Sequence, residues 1–414
     1  DRIRKVLGSA DDWVLIGGPP CQAYSIAGRS RNQGNPKYDP QKDVRQRLYV
    51  EYLQVLADHR PAVFIMENVK GLLSATLENK KMFHRILDDL RNPLGALKRE
   101  GRISSRGGSC GYRIFSLVEQ LEFEDGEVQG SVIRAEDYGI PQARHRVILL
   151  GIRDDLKIGA RQVLNRQPTV AVSAVITSLP QLRSGLSRIQ DSAAAWEKCL
   201  REQVNSRWVN AGTLKSDTPE LSHLLRKSLA AIRSPISDRG GEFISCDASP
   251  TYNADWFSDQ KIEGICNHRT REHMEKDLFR YIYAACYAKL HKKSPTLQNF
   301  PVDLLPYHVS VDTALTEGSN FSDRFRVQVA DNPSTTIMSH ISKDGHYYIH
   351  PDPRQCRSLT VREIARLQTF PDNYYFCGSR TAQYVQAGNA VPPLLAKQIG
   401  KIVYDILLQG GINS

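Results

Sequence analysis

Three short apolar runs, residues 13–16, 62–66 and 147–152, stand out along the chain, each continuous instead of alternating. Uninterrupted runs of that length belong to strands buried on both faces of a sheet. Between the first two, Val44, Leu48, Tyr52, Val55 and Leu56 recur at helical spacing and predict a helix over 44–57, stopped before Pro61. A second amphipathic helix is predicted over 78–91, with strands over 112–119 and 131–135. Later helices are predicted over 192–203, 218–232 and 271–291, the middle one opened by Thr218 as cap and Pro219 in its first turn. Residues 332–338 and 340–346 alternate apolar and polar around Asp344 and Gly345, which predicts a hairpin. Thr360 and Glu363 form a capping-box pattern opening another helix, and a last helix ends near residue 408.

Two of the buried runs end in reactive groups. The first passes into Gly17, Gly18, Pro19, Pro20 and Cys21: two glycines that allow close backbone approach, two prolines that stiffen the turn, then one thiol. A thiol at a strand's carboxyl edge lies where open α/β sheets bind ligands, and it is either a nucleophile or a buried structural cysteine. The second run ends in Glu67 and Asn68. Glu67 then either faces Cys21 from the neighbouring strand or caps the next turn. Ahead of the third run, Arg144 and Arg146 stand two residues apart on an extended segment and so share a face. Residues 23–47 are rich in Gly, Arg, Lys and Asn, with few large apolar side chains, and read as a long basic loop that is a lid or a solvated insertion.

Composition narrows the class. Charged residues make up 24% of the 414 and hydrophobic ones 41%, a balance suited to a globular chain of two domains. A formal charge of +10 suits a polyanionic partner. The eight cysteines show no paired spacing, which argues against a disulfide framework, and Cys246, Cys266, His268 and His273 lack zinc-ribbon spacing, so no metal is expected. No apolar stretch approaches the roughly 20 residues of a membrane span, and no leader pattern opens the chain; the reading is cytoplasmic, nucleoid-associated if bacterial.

The Gly-Gly-Pro-Pro-Cys-Gln run at 17–22, Met-Glu-Asn-Val at 66–69 and Gln-Ala-Arg-His-Arg at 142–146 together resemble the ordered catalytic motifs of the DNA (cytosine-5) methyltransferases. Arg-Ser-Leu-Thr-Val-Arg-Glu-Ile-Ala-Arg-Leu-Gln at 357–368 and Gln-Ala-Gly-Asn-Ala-Val-Pro-Pro at 386–393 are similar to the family's ninth and tenth motifs. The resemblance implies an α/β fold, with a Rossmann-like methyltransferase domain and a separate mixed α+β target-recognition domain. It divides the chain into a catalytic part at 1–153, a recognition part at 154–381 and a C-terminal return to the catalytic part at 382–414.

The resemblance also implies chemistry. Cys21 adds to carbon 6 of a cytosine flipped out of double-stranded DNA, and carbon 5 then takes the methyl group of S-adenosylmethionine. Glu67 serves ring nitrogen 3 through a carboxyl whose pKa is raised, while Arg144 and Arg146 hold the base's oxygen and the surrounding acidic groups. Asp1, Leu48, Asn389 and Val391 match positions that line the cofactor pocket. The glycine-rich turn that opens that pocket is missing ahead of Cys21, so the chain reads as N-terminally truncated, with an upstream polypeptide segment expected to complete the pocket. The resemblance allows a restriction endonuclease counterpart. Two other readings stand beside the DNA enzyme: an inactive DNA-binding relative that needs a partner chain for cofactor, and an RNA cytosine methyltransferase, which the large recognition part disfavours. Basic and aromatic residues including His268, Arg269, Arg271, Arg280, Tyr281, Arg324 and Arg326 are candidates for phosphate or base contacts.

Overall fold

A computed structural model describes residues 2–19, 44–74, 76–77, 80–104, 111–124, 129–210, 218–306 and 323–410. The chain forms two compact units: the first takes 1–138, 144–167 and 395–414, the second 139–143 and 168–394. The boundaries implied by the resemblance, at 153 and 381, differ from these. Residues 154–167 stay with the first unit because Leu164 and Gln167 donate backbone N–H groups to the carbonyls of Leu117 and Asp137, each at 2.8 Å. Up to residue 394 the chain stays with the second; there Tyr384 donates its hydroxyl to the Leu359 carbonyl at 2.7 Å.

Unit 1 is built on a mixed sheet. Its strands are β1 (Val14–Gly17), β2 (Val63–Val69), β3 (Tyr112–Phe115), β4 (Val132–Arg134) and β5 (His145–Arg153). The order is β1-β2-β5-β3, with β4 also pairing β5. β1 and β2 are parallel, joined through helix α1 (Val44–His59), whereas β5 runs antiparallel to β2, β3 and β4. β3 pairs with the second half of β5 and β4 with the first, so both share one edge of it. Helix α2 (Met82–Arg91) lays Phe83, Ile86, Leu87 and Leu90 against Leu53 and Leu56 of α1 and against Phe64 and Leu149 of the sheet. Asn92 caps helix α3 (Pro93–Arg99) by accepting from the Gly95 N–H at 2.9 Å, with proline in the first turn, where its missing N–H costs nothing. Opposite Phe64 in the register is Gly151, and a Cβ there would stand 2.0 Å from the Phe64 ring. The strand predicted over 112–119 ends at Phe115, because the Ser116 hydroxyl accepts from the backbone of Val118 and Glu119, each at 3.1 Å, and turns the chain.

Unit 2 has two apolar clusters. One gathers Trp196 and Leu200 of α4 (Ala193–Arg201), Leu225 and Leu229 of α5 (Pro219–Ala230), and Leu278 and Ile282 of α6 (Glu275–His291). Thr218 caps α5 as expected, accepting from Leu221 at 3.3 Å. The other surrounds α7 (Val361–Leu367) and α8 (Arg380–Asn389), next to the antiparallel ribbon of β6 (Gly240–Ser245) and β7 (Gly264–Arg269). The final helix, α9 (Pro393–Gln409), starts at the boundary of the units.

Two local expectations give way to long-range pairing. Helix α6 begins at Glu275 instead of 271, because Glu272 and His273 form a parallel ladder with Gly185 and Leu186. The hairpin around Asp344 and Gly345 does not form: Ser334 and Thr335 pair with Gln142 and Ala143, and Ser339–Ser342 winds into a 3-10 turn. Three candidate DNA contacts belong to the interior. His268 bonds Thr360 and the Pro180 carbonyl, each at 2.9 Å, and Tyr281 bonds His346 at 2.7 Å. Arg280 pairs with Asp277 at 2.7 Å.

Candidate active site

The carboxyl ends of β1 and β2 lie side by side, with Gly17 opposite Met66 in the parallel register. One residue on, Gly18 lies against Glu67: a Cβ on Gly18 would stand 3.3 Å from Glu67 Oε2 and 3.4 Å from the Glu67 carbonyl. Gly17 is equally confined, since its Cβ would fall 2.6 Å from the Tyr52 ring. The two glycines therefore permit an approach that any side chain would push apart. Asn68, only 4% exposed, donates its side-chain amide to the Pro19 carbonyl at 3.1 Å. Its Oδ1 accepts from the Val69 N–H at 2.8 Å, which fixes the amide's orientation.

Antiparallel pairing brings the arginines to the same place. Val69 lies opposite Arg146, so Arg146 and Glu67 are diagonal neighbours on one face. Arg146 Nε stands 3.0 Å from Glu67 Oε1, and Arg144 Nη2 stands 3.9 Å from the same oxygen. Arg146 also donates to the His145 carbonyl at 2.8 Å. Burial pushes the Arg146 guanidinium below its ordinary pKa, and the Glu67 carboxylate opposes that shift. Glu67 keeps 23% side-chain exposure and Arg146 18%, while Arg144 keeps 5%, so the carboxyl group and the Arg146 guanidinium are the accessible members of the cluster. A carboxyl held by guanidinium groups in this way can present a fixed hydrogen-bonding edge to a heteroaromatic base.

Glu67, Arg144 and Arg146 are thus brought together within unit 1. Cys21 and Asp1 lie outside the described residues, Cys21 two positions beyond the anchored Pro19. Leu48 is on α1 with 45% of its surface exposed, and Ile16 of β1 exposes 77%. Asn389, exposed, and Val391, half-buried, belong to unit 2 at the end of α8 and just after it. The adjoining Gly388 packs so closely on the backbone of Met338 and Ser339 that a Cβ would sit 2.9 Å from both.

Two further residues of these motifs act through the backbone. Asn68 is one; its position directly after the carboxylate, at the end of a buried strand, was the available signal. Gln142 is the other. In unit 2 it accepts from the Ile337 N–H at 2.8 Å and donates to Gln368 Oε1 at 2.8 Å, and Gln368 in turn donates to the Ala387 carbonyl at 2.6 Å. One buried amide chain therefore joins three of the family-like motifs, those at 142–146, 357–368 and 386–393. The capping box at Thr360 and Glu363 is present, and Arg357 grips the same carboxylate with two bonds of 2.7 Å. These bonds tie the start of that helix into the buried interior of unit 2.

Residues 7–93 and 111–404 match the family of C-5 cytosine-specific DNA methylases. The type II methyltransferase M.Bpa9945I of Bacillus paralicheniformis is 31% identical over 406 residues, covering 95% of this chain and 70% of that protein. The DNA (cytosine-5-)-methyltransferase M.ApeKI of Aeropyrum pernix is 28% identical, with 97% and 83% covered. Among solved structures, a candidate DNA modification methyltransferase encoded within a prophage of E. coli superposes with a TM-score of 0.50 at 18% identity, covering 98% of this chain and 83% of that one, a likeness of fold. With its motifs in this order and a family match running through both units, the chain belongs to the C-5 cytosine-specific DNA methylases and is a DNA (cytosine-5) methyltransferase.

Proposed function

We propose that this chain methylates carbon 5 of a cytosine flipped out of duplex DNA, with Cys21 as nucleophile and Glu67, Arg144 and Arg146 as the groups that hold and polarise the base. S-adenosylmethionine is the proposed donor and supplies an electrophilic methyl group. Leu48, Asp1, Asn389 and Val391 are the residues proposed to line its pocket, and unit 2 is proposed to carry target recognition.

Carbon 5 of cytosine is a weak nucleophile. Addition of the Cys21 thiolate to carbon 6 breaks the ring's aromaticity and places electron density on carbon 5. Glu67 donates a hydrogen bond or proton to ring nitrogen 3 and so offsets the negative charge that addition creates there. Arg146 keeps the carboxyl in place, and Arg144 offers a guanidinium to the exocyclic oxygen. After methyl transfer, loss of the carbon 5 proton and expulsion of the thiolate restore the ring. A base must leave the duplex to reach such a group, at a cost of a few kcal/mol. Of the basic stretch 23–47 expected to cover the base, residues 23–43 lie outside the described residues.

The observation that carries this reading is the Glu67 carboxyl held 3.0 Å from Arg146 and packed on Gly18, three residues before Cys21. The test is transfer of labelled methyl to unmethylated duplex DNA by the chain and by its Cys21→Ser variant, with the product identified after hydrolysis. Label in 5-methylcytosine that vanishes with Cys21→Ser is expected; label that persists in the variant would overturn the nucleophile. A duplex carrying 5-fluorocytosine, which cannot lose a proton from carbon 5, should trap the parent chain covalently and leave Cys21→Ser free.

A further inference from the structure

Unit 2 carries a cluster of four arginines that the reaction does not use. Arg269 ends β7 opposite Gly240, and Arg239 directly precedes β6. Their strands are tied by the Thr270 N–H donating to the Arg239 carbonyl at 2.9 Å. Arg380, the first residue of α8, donates to the Thr270 carbonyl at 3.1 Å. Arg271 stacks its guanidinium 4.5 Å above the Tyr384 ring and donates to the carbonyls of Ile341 and Lys343 at 2.8 and 3.2 Å.

The charges in this cluster are only partly neutralised, the ion pairs among the described residues all falling on Arg239. Arg239 has carboxylates near it, Asp191 at 3.0 Å and Glu272 at 3.2 Å. Arg271 and Arg380 are fixed by neutral carbonyls and a ring, and Arg269 is exposed; none of the three forms an ion pair among the described residues. The buried Nε atoms of Arg239 and Arg271 have no hydrogen-bond acceptor there either. Burial, then the fields of Arg269, Arg271 and Arg239, push the Arg380 guanidinium below its ordinary pKa, against an opposing contribution from Tyr384. Arg269, Arg271 and Arg380 thus gather like charge beyond what the two carboxylates offset, and such an excess favours an anion beside it. Oriented guanidinium groups are the donors best matched to phosphate oxygens.

Resting on the proposed function, we propose that Arg239, Arg269, Arg271 and Arg380 form a docking site for the phosphodiester backbone of the DNA duplex, independent of base sequence. Phosphate contacts fix register without reading bases, so the cluster holds the duplex while other groups discriminate the site.

The test is the salt dependence of duplex binding by the full chain. Each lost phosphate contact reduces the slope of log affinity against log salt by about 0.9. Arg269→Ala and Arg380→Gln should each lower the slope by about that amount and weaken substrate and random-sequence duplexes by the same factor. Arg269→Lys, which keeps the charge, should retain the slope. Arg269 is exposed, so its variant keeps the test valid if Arg380→Gln unfolds. Unchanged slopes in folded variants would overturn the proposal, and so would a loss confined to one DNA sequence, which marks base readout. If the parent chain methylates DNA while the slopes stay unchanged, the docking site alone fails. A parent chain that neither binds nor methylates duplex removes the functional reading and this one with it.

Discussion

The side-chain amide of Asn68 reaches across from β2 to the Pro19 carbonyl at 3.1 Å, tying the end of one strand to the turn that leads into Cys21. That bond couples the strand bearing the carboxyl group to the segment bearing the thiol. Replacing Asn68 with Ala removes this donor to the Pro19 carbonyl, at a stability cost of about 1 kcal/mol. The larger expected effect is on turnover. Single-turnover methylation should slow more than DNA binding weakens, and a rate equal to the parent's would remove the positioning role.

Glu67 and Arg146 should behave as one unit. Glu67→Gln keeps the shape but loses the charge that Arg146 faces, and a fall in kcat of about a hundredfold or more is expected. Arg146→Ala should cost nearly as much, and the double variant little beyond either single one. Fully additive losses measured in a double-mutant cycle would mean that the two side chains act separately.

Gly18→Ala probes the close approach at the site. Its Cβ, 3.3 Å from Glu67 Oε2, displaces the carboxyl by a few tenths of an ångström. Methyl transfer should fall by about tenfold while the thermal midpoint barely moves. Gly17→Ala meets the Tyr52 ring at 2.6 Å and should show the opposite balance, losing about 1–3 kcal/mol of stability through overpacking.

Arg357 and Glu363 are each 1% exposed and hold one another through two bonds. Arg357→Met strands a buried carboxylate, and a loss of about 3–5 kcal/mol in urea unfolding is expected. Arg357→Met combined with Glu363→Gln should recover much of it. No recovery would show that the packing of the guanidinium matters more than its charge.

Acid should weaken unit 2 in two stages. Burial pushes His268 and His350 down to about 4, with the charge of Arg357 adding to the effect on both. An unfolded histidine titrates near 6.5, so between these values the unfolded chain binds more protons. Their stabilisation is complete above about pH 6.5 and is lost as pH falls toward 4, on the order of 3 kcal/mol for each histidine. Burial raises the Glu363 carboxyl, but Arg357 more than offsets it and holds the group well below the usual carboxylate range. Its contribution therefore fades below about pH 4.3. Unfolding free energy measured from pH 7 to 4 should fall, and His350→Gln should make that fall shallower. A pH profile indifferent to the substitution would sink the assignment to His350.

Sequence alone determined the strands, the caps and the polar groups at the strand ends, although of the three apolar runs expected to be buried on both faces the first leaves Ile16 77% exposed. Continuous apolar runs, Thr218 before Pro219, and Thr360 three residues before Glu363 act within a few residues, so their outcome is written locally. The shared face of Arg144 and Arg146 followed from two-residue periodicity, and Glu67 from its place at the end of an apolar run. Tertiary structure decided the partners. Arg280 and His268 read as surface candidates, yet the fold left the carbonyls of Leu304 and Pro180 in need of donors and turned both side chains inward. Ser334 and Thr335 had hairpin patterning but found the backbone of Gln142 and Ala143 instead. Periodicity states which face a residue presents; which distant backbone group remains to be satisfied there is settled only when the whole chain has packed.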